Sequence, residues 1–105
     1  MMKVTKHHNY VLIKLEKNSK IEHLIDFLQR CGSNHSLIID VLNANISDNL
    51  IVSKLLPFHF IWQKTNNSFI LVSNIRKKLL NDMVSIKTLE EALDFFHMEQ
   101  LTRNI

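Results

Sequence analysis

Apolar positions along the chain change period several times, and each change marks an element. Residues 4–17 read as two short extended segments broken at His7-His8-Asn9, after which Tyr10-Val11-Leu12-Ile13-Lys14-Leu15 supplies β-branched and aromatic content, so a hairpin is expected. Ile21, Leu24, Ile25 and Leu28 then follow the i, i+3, i+4, i+7 stripe of an amphipathic helix. Ser19 and Glu22 have the spacing of a capping box, and Gly32 falls where a left-handed residue would close the helix. Leu37-Ile38-Ile39-Asp40-Val41-Leu42 is an apolar run with one polar interruption, the pattern of a strand buried on both faces.

Ser47 and Asp48 are N-cap candidates for the next helix, with Ile51, Leu55, Phe58 and Trp62 as its buried stripe. Pro57 inside that pattern removes one donor and crowds the carbonyl of Ser53, which predicts a kinked helix or two abutting pieces. Asn66-Asn67 makes the turn into a strand beginning at Phe69. A short helix over 75–80 and a short strand over 83–86 come next. Thr88 and Glu91 form a capping box for a last helix. The order β-β-α-β-α-β-α-β-α specifies an α/β fold: a mostly parallel sheet of four to five strands with an N-terminal hairpin and about four helices.

Length and composition narrow this only slightly. A chain of 105 residues with 46% hydrophobic and 22% charged residues is expected to be one domain, residues 1–105, with a core of its own. One Gly and one Pro leave little scope for flexible linkers, and the single Cys31 has no internal disulfide partner, which suits a reducing cytosol. No apolar run has the length of a membrane span, and residues 1–8 lack an apolar signal-peptide core, so a cytoplasmic location is expected. The net charge of +3 is spread along the chain. Its tightest cluster, Arg76-Lys77-Lys78, lies beside Asp82 without stackable aromatics, which reads as a solvated face and argues against nucleic acid as a partner.

Candidate chemistry is sparse. The adjacent His7 and His8 would point to opposite faces of a strand, and His23, His59 and His97 sit on separate predicted helices with no i, i+4 pair, so no metal site is expected. Cys31 lies at the end of a helix, away from an N-terminus that would activate it, and reads as a partly buried small residue. Asp40, at the C-terminal end of a central strand, stands where α/β sheets place ligands, although capping the following loop is the more common task for a carboxylate there. Glu90, Glu91 and Asp94 suit the positive end of the last helix. Phe95, Phe96, Met98 and Leu101 cover more of that helix than one buried stripe needs, leaving surface for a partner or a homodimer.

The hairpin, the central Leu37-Ile38-Ile39-Asp40 strand, the loop Ile46-Ser47-Asp48-Asn49 opening a helix, the strand Phe69-Ile70-Leu71-Val72 and the ending Thr88-Leu89-Glu90-Glu91-Ala92-Leu93 together resemble the STAS family, the sulfate-transporter and anti-sigma-factor-antagonist domain. The resemblance implies a regulatory protein partner, an anti-sigma factor or a kinase, docking at the loop after the central strand. In the family that loop reads roughly Asp-Ser-Ser/Thr-Gly and carries a phosphorylated hydroxyl. Here the Gly is missing, Asp48 or Asn49 stands at the phosphorylatable position, and Ser47 is the nearby hydroxyl, so the phosphorylation loop is degenerate. The chain is also similar to small STAS-like proteins of Bacteroidetes-type bacteria sometimes labelled ribonuclease Z. None of its six His forms the His-x-His-x-Asp-His motif of that nuclease.

Three functions follow as expectations. The first is a bacterial, non-enzymatic protein-binding module using Asp40, Ser47, Asp48 and Asn49, without metal or cofactor. The second is a small ligand- or nucleotide-binding domain using the same loop. The third, nucleic-acid binding through Arg76, Lys77 and Lys78, is the least supported by the residue pattern.

Overall fold

The computed structural model describes residues 2–103. Five strands, β1 (Met2–Lys6), β2 (Val11–Leu15), β3 (Leu37–Asp40), β4 (Phe69–Val72) and β5 (Val84–Ile86), form one sheet in chain order. β1 pairs antiparallel with β2, and the β2–β3, β3–β4 and β4–β5 pairings are parallel. Three α-helices accompany them: α1 (Ile21–Cys31), α2 (Asp48–Gln63) and α3 (Leu89–Arg103).

β3 and β4 are buried at every position, as their unbroken apolar runs require between two covered faces. One face, with Val11, Ile13, Leu15, Leu37, Ile39, Phe69 and Leu71, packs under α1 and α2 through Leu24, Leu28, Ile51, Leu55 and Trp62. The other, with Ile38, Ile70 and Val72, packs against Ala92 and Phe96 of α3. Where the ladder runs out at the N-terminal ends of the parallel strands, serines extend it. Val11 N donates to Ser36 O, Leu37 N to Ser68 O, and Ser68 N to Ser36 Oγ at 2.9 Å.

Two details depart from the sequence reading, and a third decides between two alternatives it left open. The helix expected over 75–80 is only a 3-10 turn at Lys77–Leu79, so there are three α-helices among the described residues rather than four. Ile75 and Leu80 anchor both ends of this segment in the core. Asn81 (φ 51°) and Asp82 (φ 72°) then take left-handed backbone, which ends the helical path before a second turn. Secondly, Ser19 does not cap α1. Its hydroxyl accepts from Glu16 N at 2.7 Å in the turn after β2, and the N-cap position passes to Lys20, whose side chain makes no capping bond. Thirdly, α2 is one continuous helix through Pro57 rather than two pieces. Pro57 and Ser53 both lie on its exposed side, where water can satisfy the Ser53 carbonyl that Pro57 leaves without a donor.

The other punctuation behaves as its chemistry dictates. Gly32 closes α1 at φ 74° and ψ 165°, a region reserved almost wholly for glycine. Ser47 Oγ accepts from Leu50 N at 3.3 Å to open α2. Thr88 Oγ1 accepts from Glu91 N at 3.1 Å, and its hydroxyl donates to the Glu91 carboxylate at 3.0 Å.

Candidate functional site

The C-terminal end of the parallel sheet carries Asp40, Ser47, Asp48 and Asn49, but the structure divides them by role. Asp40 ends β3 and is buried, and its Oδ1 accepts from Leu42 N at 3.0 Å. The carboxylate thereby fixes the first turn of the loop, a structural task that leaves it facing the backbone rather than an incoming ligand. Val41 N donates to Val72 O and Ala44 N to Val41 O, so the loop leaves the sheet in a defined direction.

Ser47, Asp48 and Asn49 are all exposed on the first turn of α2. Ile51 N donates to Ser47 O at 3.0 Å, and with the side-chain bond to Leu50 N this holds Ser47 as the N-cap. Asp48 sits in the first turn, where its charge is favoured by the helix dipole. Leu42 and Leu50 flank this group at 39% and 38% exposure. Residues 42–50 therefore expose two leucines, Leu42 and Leu50, together with Asn43, Asn45, Ser47, Asp48 and Asn49, on a backbone held by internal hydrogen bonds. Asp40 lies beneath it rather than on it.

The remaining candidates are placed apart. Cys31 is half-buried at the end of α1, and burial pushes its thiol pKa up, an effect the positive charge of Lys6 only partly offsets. That makes it a poor thiolate nucleophile. Arg76, Lys77 and Lys78 are exposed on and beside the 3-10 turn. On α3, Phe96 is buried against Tyr10 at 5.3 Å, whereas Met98 and Leu101 remain 67% and 68% exposed. Among the described residues no three His, Cys, Asp or Glu side chains converge as metal ligands would.

Two polar groupings were not visible in the sequence. At the N-terminal end of the parallel strands, Ser68 Oγ donates to Glu99 Oε1 at 2.7 Å and accepts from Arg103 Nη1 at 3.0 Å, joining β4 to α3. This pair lines a cleft of about 260 Å³ together with His59 and Asp82. His59 belongs to the buried stripe of α2, 5% exposed, and its Nε2 has no hydrogen-bond partner among the described residues. Burial lowers the pKa of its imidazole, with the Asp82 charge acting weakly in the opposite sense. The sequence reading gives the stripe as Ile51, Leu55, Phe58 and Trp62, whereas the structure buries His59 and leaves Phe58 only partly buried. A polar residue at an apolar position is not what a periodicity search seeks. The second grouping is a long groove beside α1 and β1 that gathers His7, His8, His23 and His35.

Solved structures include chains of similar fold. The chain superposes on a serine-to-glutamate variant of RsbS from Moorella thermoacetica with a TM-score of 0.69 over 97% of each chain, at 18% sequence identity. The two proteins share a fold. No family model matches the sequence, and no curated protein matches it either. The likeness to RsbS thus supports the STAS-like architecture expected from element order. None of the described helices is long and apolar enough to cross a membrane.

Proposed function

We propose that this chain is a non-enzymatic regulatory module of the STAS type that binds a protein partner through residues 42–50. The observation that carries the reading is the composition of that surface: exposed Leu42 and Leu50 on either side of Ser47, Asp48 and Asn49, over a loop fixed by the buried Asp40. A surface of this kind offers an apolar anchor at each end and polar selectivity between them, with little ordering cost because the backbone is already held. The fold shared with RsbS over 97% of both chains supports reading such a loop as a regulatory contact. The partner is a regulatory protein of the anti-sigma-factor or kinase-like class. Ser47 is the hydroxyl on which a kinase could act, and added phosphate would lie at a helix N-terminus beside Asp48, changing the charge the partner meets.

The test compares two baits in native lysate, the wild-type protein and a Leu42→Asp, Leu50→Asp double variant with unaltered thermal unfolding. A protein captured in stoichiometric amount by the wild type and lost with the variant supports the reading. Equal capture by both baits, or by neither, overturns it. Intact-mass measurement of the recovered wild-type bait shows whether one phosphate is present, and replacement of Ser47 by Ala locates it.

A further inference from the structure

A groove of about 1110 Å³ runs beside α1, away from the 42–50 surface. One wall is the flank of α1 and its N-cap, with Lys20, His23, Phe27 and Arg30 at helical spacing, next to the buried stripe of Leu24 and Leu28. The floor reaches β1 through Met2 and Lys6. β1 is the end strand of the sheet: it pairs only with β2, and positions 3–6 are exposed. A ten-residue step along a helix covers about 15 Å, and a five-residue strand such as β1 covers about 17 Å. The wall from Lys20 to Arg30 and the strand whose two ends, Met2 and Lys6, line the groove are thus of comparable length.

The charges are not balanced within the groove. Arg30 is committed to Asp26 by an i, i+4 ion pair, and Lys3, on the opposite face of β1, lies 3.4 Å from Glu16. Lys6 and Lys20 have no ion-pair partner among the described residues. Among the described residues Asp26 is the one carboxylate along the groove, against Lys6, Lys20 and Arg30 and four histidines.

We propose that this groove binds an extended acidic peptide segment, which adds to the free edge of β1 and directs alternate Asp or Glu side chains toward Lys6, Lys20 and the histidines. Edge backbone amides and carbonyls supply the pairing, and the lysines supply the choice of sequence. A second copy of β1 is a poor occupant. Its sequence, Met-Lys-Val-Thr-Lys, would bring further lysines and no acid to a groove in which Lys6 and Lys20 already lack an ion-pair partner among the described residues. This inference stands on different residues from the 42–50 reading and survives its failure.

The test is fluorescence anisotropy with a labelled ten-residue peptide alternating Glu and Val, titrated with the full-length protein at low and at physiological salt. Three controls accompany it: the same peptide N-methylated at alternate amides, a Lys-Val peptide, and single-stranded DNA of equal charge. Saturable binding to the Glu-Val peptide is expected, weakened at least tenfold by N-methylation and by Lys6→Glu with Lys20→Glu. Both lysines are exposed, and unchanged thermal unfolding of the double variant shows that it folds. That variant should in turn bind the Lys-Val peptide. No binding at low salt overturns the proposal. So does equal binding of the N-methylated peptide, which would make the groove a charged surface only, or tighter binding of the DNA, which would make it a nucleic-acid site.

Discussion

Replacing His59 by Leu should stabilise the protein, and the gain should grow as the pH falls. His59 is 5% exposed, and its Nε2 makes no hydrogen bond to the described residues. An unpaired polar atom in such a place costs about 1–3 kcal/mol. Against this stands the contact of its ring with Phe69, with centroids 6.3 Å apart, of a kind that returns about 0.5–1.5 kcal/mol. Leucine keeps the apolar volume and removes the unpaired nitrogen, so the net gain at pH 8 is about 1 kcal/mol, or roughly 4–8 °C in Tm for a chain of this size. Folding lowers the imidazole pKa through burial, although Asp82 opposes the shift. The unfolded chain therefore takes up the proton first as the pH drops. The contribution of neutral His59 is complete above the unfolded value of about 6.5 and is lost as the pH falls through the lower folded value. Asp82, Glu99 and Arg103 face the same cleft and are present in both proteins, so the difference between wild type and variant isolates the imidazole. Urea unfolding at pH values from 8 to 5 measures it. A variant less stable than wild type by more than about 1 kcal/mol at pH 8, or a difference independent of pH, would refute the reasoning. Glutamine at the same position, polar but not titrating, should be less stable than leucine at pH 8 and should also flatten the acid limb.

Other substitutions probe single devices of the fold. Gly32→Ala meets no atom within 4 Å, so its cost is backbone strain alone, about 1–3 kcal/mol from the conformation at φ +74°, read as a lower urea midpoint with unchanged m-value. Trp62→Phe removes the 2.7 Å bond from Trp62 Nε1 to His35 O and should cost about 2 kcal/mol from the lost bond and the cavity, with amide exchange accelerated near His35. Thr88→Ala leaves Glu91 N uncapped and should lower stability by about 1 kcal/mol, whereas Thr88→Ser should restore most of it.

Much of the architecture was legible because local and tertiary demands coincide. Val11, Ile13 and Leu15 alternate with less buried neighbours, β3 and β4 are apolar throughout, and Ser47 and Thr88 cap the helices they precede. Legibility failed where one group had two possible employers. Ser19 could cap α1 or hold the turn after β2, and its 2.7 Å bond to Glu16 N shows which geometry won. The segment around Lys77 had the apolar spacing for a helix but was too tightly tethered at Ile75 and Leu80 to complete one. For the candidate site, the exposure of Ser47, Asp48 and Asn49 followed from their place at a helix start, while the burial of Asp40 followed from its place in β3. The cationic groove left no trace along the chain. His7, His8, His23 and His35 come from a hairpin, a helix and the approach to β3, and only the pairing of β1 with β2 beside α1 puts them along one channel.

The chain-order sheet also bears on how the protein emerges from a ribosome. Each of β2, β3, β4 and β5 adds beside a strand already synthesised, so no strand waits for a later one to open a gap. One face can close early, because α1 and α2 precede β4. The other cannot: Ile38, Ile70 and Val72 depend for cover on Ala92 and Phe96, which are made after all five strands. A nascent chain stalled before α3 would display that apolar surface to its neighbours, the condition under which partly made domains aggregate or recruit chaperones. Synthesis of α3 is thus the step that turns a self-adhesive sheet into a protein that tolerates company.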